Sequence, residues 1–398
     1  MGFIVAIFVL KLLLSTIEPP SFDLGNIISL VHSPGVSIGP WIGLYPPLYI
    51  QSAVNSTLLQ QWLLAPPIGM NPNFEIIALY FRLPILLLDL ATCFVLVLAG
   101  KVMGCEGGGR MAALIWFANP YTFFGSELSG TPDILATIML VISVTLLVQK
   151  RYFLSTISLA LGIWVKFFPF LVVPAFLMFQ YQSKSPKKAM ATTLSGGLLG
   201  LAGYFSWALP NWHQYLTTYT PVAQPFPFVA GPVAINNSAF VLLLFYFAFM
   251  IFAKHTKSLT TLLLPILLVY YAVSNPASQY LIWAMPLMAL DLAIVGRSRA
   301  ALFAIFYSLG FANWFFASSA FLTSSGYSLL MIPLSGDNLP SYSQAITQLL
   351  DNSAVINLIL PFISSALFAC ILAYAIDVVR TWFAKTQENE IGIASIQE

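Results

Sequence analysis

Basic side chains interrupt this chain on one side only. Of its sixteen Lys and Arg residues, thirteen fall in alternate polar breaks between apolar stretches: Lys101, Arg110, Lys150, Arg151, Lys184, Lys187, Lys188, Lys254, Lys257, Arg297, Arg299, Arg380 and Lys385. The intervening breaks hold none. Positive charge near the ends of membrane spans stays cytoplasmic, so the basic breaks are read as inside and the others as outside. The remaining three, Lys11, Arg82 and Lys166, fall within or at the ends of apolar stretches. Charge there is costly and is kept for pairing or function.

Only 8% of the residues are charged and 59% are hydrophobic, where a soluble domain carries about 25% charge. With a mean hydropathy of +0.86, the chain reads as an all-α polytopic membrane protein. Twelve apolar segments are expected: 2–17, 76–99, 111–126, 133–149, 152–165, 168–180, 189–209, 238–253, 259–274, 278–295, 300–322 and 354–378. An even count puts both termini inside. The first segment lacks a basic leader and a small-residue cleavage site and reads as an uncleaved anchor. The fifth and sixth are short and meet at Lys166-Phe167-Phe168-Pro169, which predicts a broken helical hairpin lining a cavity. Residues 1–380 form one transmembrane domain, with long outer loops at 18–75, 210–237 and 323–353, and 381–398 form a polar cytoplasmic tail. Cys93, Cys105 and Cys370 lie in spans or an inside loop, so no disulfide is expected. No His/Cys metal spacing, phosphate loop or nucleic-acid signature is present.

Candidate functional residues collect on the outer side. Seven acids fall there: Glu18, Asp23, Glu75, Glu127, Asp133, Asp337 and Asp351. In the first outer loop, a short surface helix is expected over Leu24 to His32, with Asp23 near its N-cap. Glu127 and Asp133 flank a small-residue loop, where capping of the fourth span by Asp133 is the plainer alternative. Arg82 and Asp89, seven apart on one helix face, are read chiefly as a pair that cancels buried charge. Lys166 is either a functional cation or a snorkelling helix-end Lys. His32 and His213 are lone loop histidines. The run Gly104–Gly109 lacks the ending of a phosphate loop and reads as a flexible inside linker. Gly196, Gly200 and Gly203 predict close helix packing in the seventh span.

Several ordered pieces then resemble a known family. Asp23 after the first span and Tyr45-Pro46-Pro47 open the series; Asp89-Leu90 and Asn119-Pro120 follow. Gly125 to Asp133, Lys166-Phe167-Phe168-Pro169 and Gln279-Tyr280 with Trp283 and Pro286 complete it. Together they resemble the integral-membrane glycosyltransferases of the C superfamily (GT-C), and especially the first mannosyltransferase of GPI-anchor synthesis, over residues 1–295. One departure stands out: the mannosyltransferase pattern has a second acid two residues after the first, where this chain has Gly25.

The resemblance implies an inverting transfer of a hexose, with mannose expected, from a polyprenyl- or dolichyl-phosphate sugar to a glycan or glycolipid acceptor on the non-cytoplasmic face. In that scheme Asp23 is the catalytic base. Lys166 and Arg82 hold the donor phosphate, and Glu127, Asp133, His32, His213, Gln279 and Tyr280 contact acceptor or sugar. No cofactor is required by any motif, and a divalent cation is not indicated. The implied partners are the lipid-linked donor, the acceptor and membrane lipid, without nucleic acid, in a prokaryotic cell membrane rather than the endoplasmic reticulum. Two alternatives stay open: the same reaction with another sugar, and a secondary transporter or lipid flippase, for which repeat symmetry between the halves is not visible.

Overall fold

The structure is a computed structural model and describes residues 2–17, 74–119, 122–123, 133–166, 168–181, 186–208, 259–274, 278–295, 299–310, 312, 362–363 and 365–380. Every regular element among them is helical. In chain order these are α1 (Gly2–Ile17), α2 (Phe74–Val102), α3 (Glu106–Phe117), α4 (Asp133–Val148), α5 (Tyr152–Val165), a 3-10 turn at Phe168–Val172, and α6 (Val173–Tyr181). Then come α7 (Pro186–Ala208), α8 (Leu259–Ser274), a 3-10 turn at Ser278–Trp283, and α9 (Met285–Val295). α10 is Ala300–Gly310, and α11 covers residues 365–380.

Sequence-adjacent helices pack as antiparallel hairpins. Between α2 and α3 the chain turns through Gly104, whose φ of 78° suits a residue without Cβ. The glycine run after it is not the flexible linker expected: Gly107–Gly109 lie in the first turns of α3, and Gly108 and Gly109 are buried. A Cβ on Gly109 would press on the backbone of Gly100 and Leu96 in α2, so the run exists for close helix approach. α4 and α5 turn through Lys150 and are stitched by Ser143 and Ser155, each hydroxyl donating to the other residue's carbonyl at 2.7 and 2.8 Å.

α7 crosses α5 on its glycine stripe, as expected from the sequence. A Cβ at Gly196 would overlap Thr156, at Gly200 it would meet Ile163, and at Gly203 the Trp164 ring. The helical break also appears where proline dictates it. α5 ends at Val165, Lys166 is extended (φ −150°, ψ 144°), and Phe168-Pro169 begins a 3-10 turn before α6. Pro169 has no N–H to bond the Val165 carbonyl four residues back, and its ring would clash with that carbonyl if α5 continued.

The core runs through α2 to α6, α8 to α11 and both 3-10 turns, with Trp116, Phe117, Phe168, Phe176 and Phe306 among its largest buried side chains. Outside it, large apolar side chains stand open, such as Phe94 and Phe153, both 68% exposed. Among the described residues one helical stretch, Arg82–Val102, is long and apolar enough to cross a membrane; six more apolar helices are shorter. The expected count of twelve spans is therefore not carried by the described helices. Segment 238–253, the three long outer loops (apart from the start of α2), the expected surface helix at 24–32 and the tail 381–398 lie outside the described residues.

Candidate functional site

Four separate stretches converge where α4 begins. Asp133, the first residue of α4, is 1% exposed. Its Oδ1 accepts a hydrogen bond of 2.7 Å from Trp283 Nε1 on the late 3-10 turn. The Lys166 ammonium lies 3.6 Å from the same oxygen. Phe168 stacks flat on Trp283 at 4.2 Å, inclined by 6°, and Tyr270 of α8 lies 6.4 Å from the indole.

This arrangement follows from local sequence. The Pro169 break frees Lys166 from helical geometry and turns Phe168 inward. The carboxylate does not cap its own helix as the plainer alternative held: one oxygen serves Trp283 and Lys166, and Oδ2 is buried without a hydrogen-bond partner. Asp133 still favours α4 by sitting in its first turn, where the helix dipole welcomes negative charge. Chemically the junction is a charged pair walled by stacked aromatic rings, suited to holding polar groups at an apolar boundary.

A second charged pair lies deep in the bundle. Lys11 of α1 donates to Asp89 Oδ2 of α2 at 2.6 Å, and the two side chains are 5% and 0% exposed. The ammonium also lies over the rings of Phe117 and Phe123, at 4.5 and 5.8 Å, a favourable cation–π placement. This corrects the expected Arg82–Asp89 pair. Seven helical residues rise about 10 Å, so the shared face leaves those two side chains two turns apart, whereas α1 brings Lys11 alongside. Arg82 is itself 1% exposed, buried within the bundle.

A third network escaped the sequence reading. Arg299, before α10, grips Asp291 of α9 through Nη1 at 2.7 and 2.6 Å. Its Nε donates to Asp377 Oδ2 of α11 at 2.8 Å, and Tyr374 donates to Asp291 Oδ2 at 3.0 Å. Burial opposes the charge on Arg299, but Asp291 and Asp377 more than offset that and raise its pKa above the ordinary guanidinium value. The available signal was an acid inside an apolar span, Asp291, followed by an Arg at the next inside break.

Of the residues expected at a sugar-transfer site, Asp133 and Lys166 come together. Gln279 and Tyr280 lie on the same 3-10 turn as Trp283, with side chains outside the described set. Asp23, His32, His213 and Glu127 also lie outside the described residues. Cys93, Cys105 and Cys370 are free thiols. No group of metal-ligating side chains occurs among the described residues.

A comparison with curated proteins gives no match. A comparison with protein families does, and it overturns the sugar-transfer expectation. That family's description names a subunit of a transamidase, so neither the hexosyltransferase activity, the mannose specificity nor the glycosyltransferase assignment stands. Residues 46–218, somewhat less than half the chain, match the family model described as GPI transamidase subunit PIG-U.

Proposed function

We propose that this chain is a polytopic membrane subunit of a GPI transamidase-type assembly. It contributes a helical scaffold in the membrane, and its partners are the other proteins of that assembly and lipid-linked GPI. The observation that carries this reading is the family match over residues 46–218. The matched stretch contains α2 to α7, the break at Lys166 and both Asp89 and Asp133. It therefore covers the part of the outer junction built by Asp133, Lys166 and Phe168, whereas α8 with Tyr270 and the late turn with Trp283 lie beyond it.

Three further features support a membrane setting. Apolar side chains stand exposed around the bundle, as they do where lipid replaces water. The alternating placement of Lys and Arg fits twelve spans with both ends inside. On that topology Asp133, Lys166 and Trp283 share the non-cytoplasmic end, and Arg299 lies at the cytoplasmic end. The kinship also moves the expected compartment from a prokaryotic cell membrane to one where GPI is joined to protein, in practice the endoplasmic reticulum.

Depletion of the chain from cells that make GPI-anchored proteins tests the reading. The expected result is accumulation of complete GPI together with precursor proteins that retain their attachment signal. Tagged chain should co-purify with transamidase subunits from mild detergent. Complete attachment of GPI in depleted cells, with no co-purifying subunits, would overturn the proposal. A GPI glycan shortened by one hexose in place of accumulated complete GPI would likewise overturn it.

A further inference from the structure

Four basic side chains meet at one corner of the cytoplasmic end. Lys150 and Arg151 form the turn between α4 and α5, and Lys187 and Lys188 open α7. The glycine stripe fixes how these two places sit together. Gly196 faces Thr156, Gly200 faces Ala160 and Ile163, and Gly203 faces Trp164, so α5 and α7 run side by side in the same direction. Counting back from the Gly196–Thr156 contact at about 1.5 Å per residue, Arg151 lies roughly 8 Å and Lys188 roughly 12 Å toward the cytoplasm. The four residues therefore stand within about one helical turn of each other in height, and all four are exposed. The neighbouring chain supplies no countercharge. Among the described residues none of the four takes part in an ion pair or a side-chain hydrogen bond. No Asp or Glu occurs between Asp133, at the far end of α4, and Asp291. Arg110 at the same end of the bundle is the contrast, since Glu106, one turn earlier on α3, holds it at 2.6 Å. Next to the cations the same two helices turn apolar side chains outward: Phe153, Leu154 and Ile157 on α5, and Leu194 and Leu198 on α7, between 37% and 68% exposed.

We infer that this corner binds an anionic lipid of the cytoplasmic leaflet whose headgroup carries a phosphomonoester. Lys150, Arg151, Lys187 and Lys188 take the headgroup, and the acyl chains lie along the exposed apolar faces of α5 and α7. A phosphomonoester carries about 1.5 to 2 negative charges and three acceptor oxygens, which suits four uncompensated cations better than a singly charged headgroup does. Groups of basic residues immediately cytoplasmic of a span favour such lipids. The order of the surface decides for a lipid over a soluble phosphate: a free anion would use the cations alone and leave the apolar strip beside them without a role. The site lies at the opposite end of the bundle from the Asp133–Lys166 junction. It rests on the reading of the bundle as membrane-embedded with this end inside, and not on the transamidase assembly.

The test titrates the full-length chain in mild detergent with a fluorescent, monophosphorylated phosphatidylinositol and reads anisotropy. Saturable binding is expected, with phosphatidylglycerol weaker and phosphatidylcholine not competing. Lys150→Gln with Arg151→Gln, and separately Lys187→Gln with Lys188→Gln, should each weaken binding by roughly 10-fold or more. Lys101→Gln with Arg110→Gln, which removes as much charge from the same end of the bundle, should leave it unchanged. Lys187→Arg with Lys188→Arg should keep the affinity, which separates lost charge from lost folding. An equal loss in the Lys101 and Arg110 variant would reduce the corner to diffuse charge that only orients the chain, and would overturn the inference. So would the absence of saturable binding, or competition by the matching water-soluble inositol phosphate as strong as that of the lipid. Alkaline extraction of membranes separates this from the membrane reading. A wild-type chain released with peripheral proteins removes both, whereas a retained chain without preference for the phosphomonoester lipid removes the inference alone.

Discussion

The Arg299 network and the Lys11–Asp89 pair both bury charge, yet they satisfy it in opposite ways. Arg299 offers a planar fork that Asp291 and Asp377 meet from two other segments, and Tyr374 donates to Asp291, leaving both oxygens of Asp291 bonded. Lys11 is a point charge held by one carboxylate oxygen and flanked by two rings, and Asp89 Oδ1 has no hydrogen-bond partner. A guanidinium fork gains geometric specificity from several acceptors, whereas an ammonium accepts any close anion or aromatic face. The first arrangement clasps three elements at one end of the bundle; the second tethers one helix at its middle. The difference predicts a rigid clamp and a replaceable tether.

That contrast can be broken experimentally, beginning with the clamp. Arg299→Leu strands Asp291 in the interior and should cost about 3–5 kcal/mol, read as a large fall in Tm of the detergent-solubilised protein. Arg299→Lys should recover little of it, because one ammonium cannot serve Asp291 and Asp377 with the fork's geometry. Full recovery by lysine would erase the distinction between the two sites.

Asp89→Leu removes the Asp89 carboxylate from Lys11 but leaves Phe117 and Phe123 over its ammonium. Its expected cost is smaller, about 2–3 kcal/mol, and Lys11→Leu on top should return most of it. Failure of that double variant to recover would make the tether as exacting as the clamp. Close packing comes next: Gly196→Ala drives a methyl into Thr156 and should cost about 1–3 kcal/mol by overpacking. Thr156→Ser in the same chain should relieve part of the loss, measured by the same melting transition.

The outer junction gives a smaller, sharper effect. Trp283→Phe keeps a ring to stack on Phe168 but removes the donor to Asp133, for an expected loss of about 1 kcal/mol. Under the proposed function that variant should also weaken co-purification with transamidase subunits if the junction faces them. Tyr374→Phe removes one hydrogen bond to Asp291 while Arg299 stays in place, and about 0.5–1 kcal/mol is expected. A loss equal to that of Arg299→Leu would mean that Tyr374, not the guanidinium, organises the clamp.

How much of this was legible differed from residue to residue. The break at Lys166 could be read directly, because Pro169 acts on backbone geometry within a few positions. The stripe Gly196, Gly200, Gly203 was legible for the same reason: its spacing alone places it on one helix face. Asp133 was singled out, but its partner Trp283 lies 150 positions away, beyond anything spacing can reveal. Asp291 went unnoticed because an acid in an apolar span gives no hint of its partner until α10 and α11 are placed. The motifs that resembled a glycosyltransferase mark an architecture, and architecture does not fix chemistry.

The order of apolar stretches, the alternation of breaks that carry basic residues and the points where helices must break were set by sequence alone, since each depends on local hydropathy, charge or proline. Which charge answers which was decided only by the folded bundle. A buried ion pair needs its two groups within about 4 Å, and in a helix neighbours seven positions apart are held farther than that, so Asp89 takes a partner from α1 and Asp133 takes its partners from the break and the late turn.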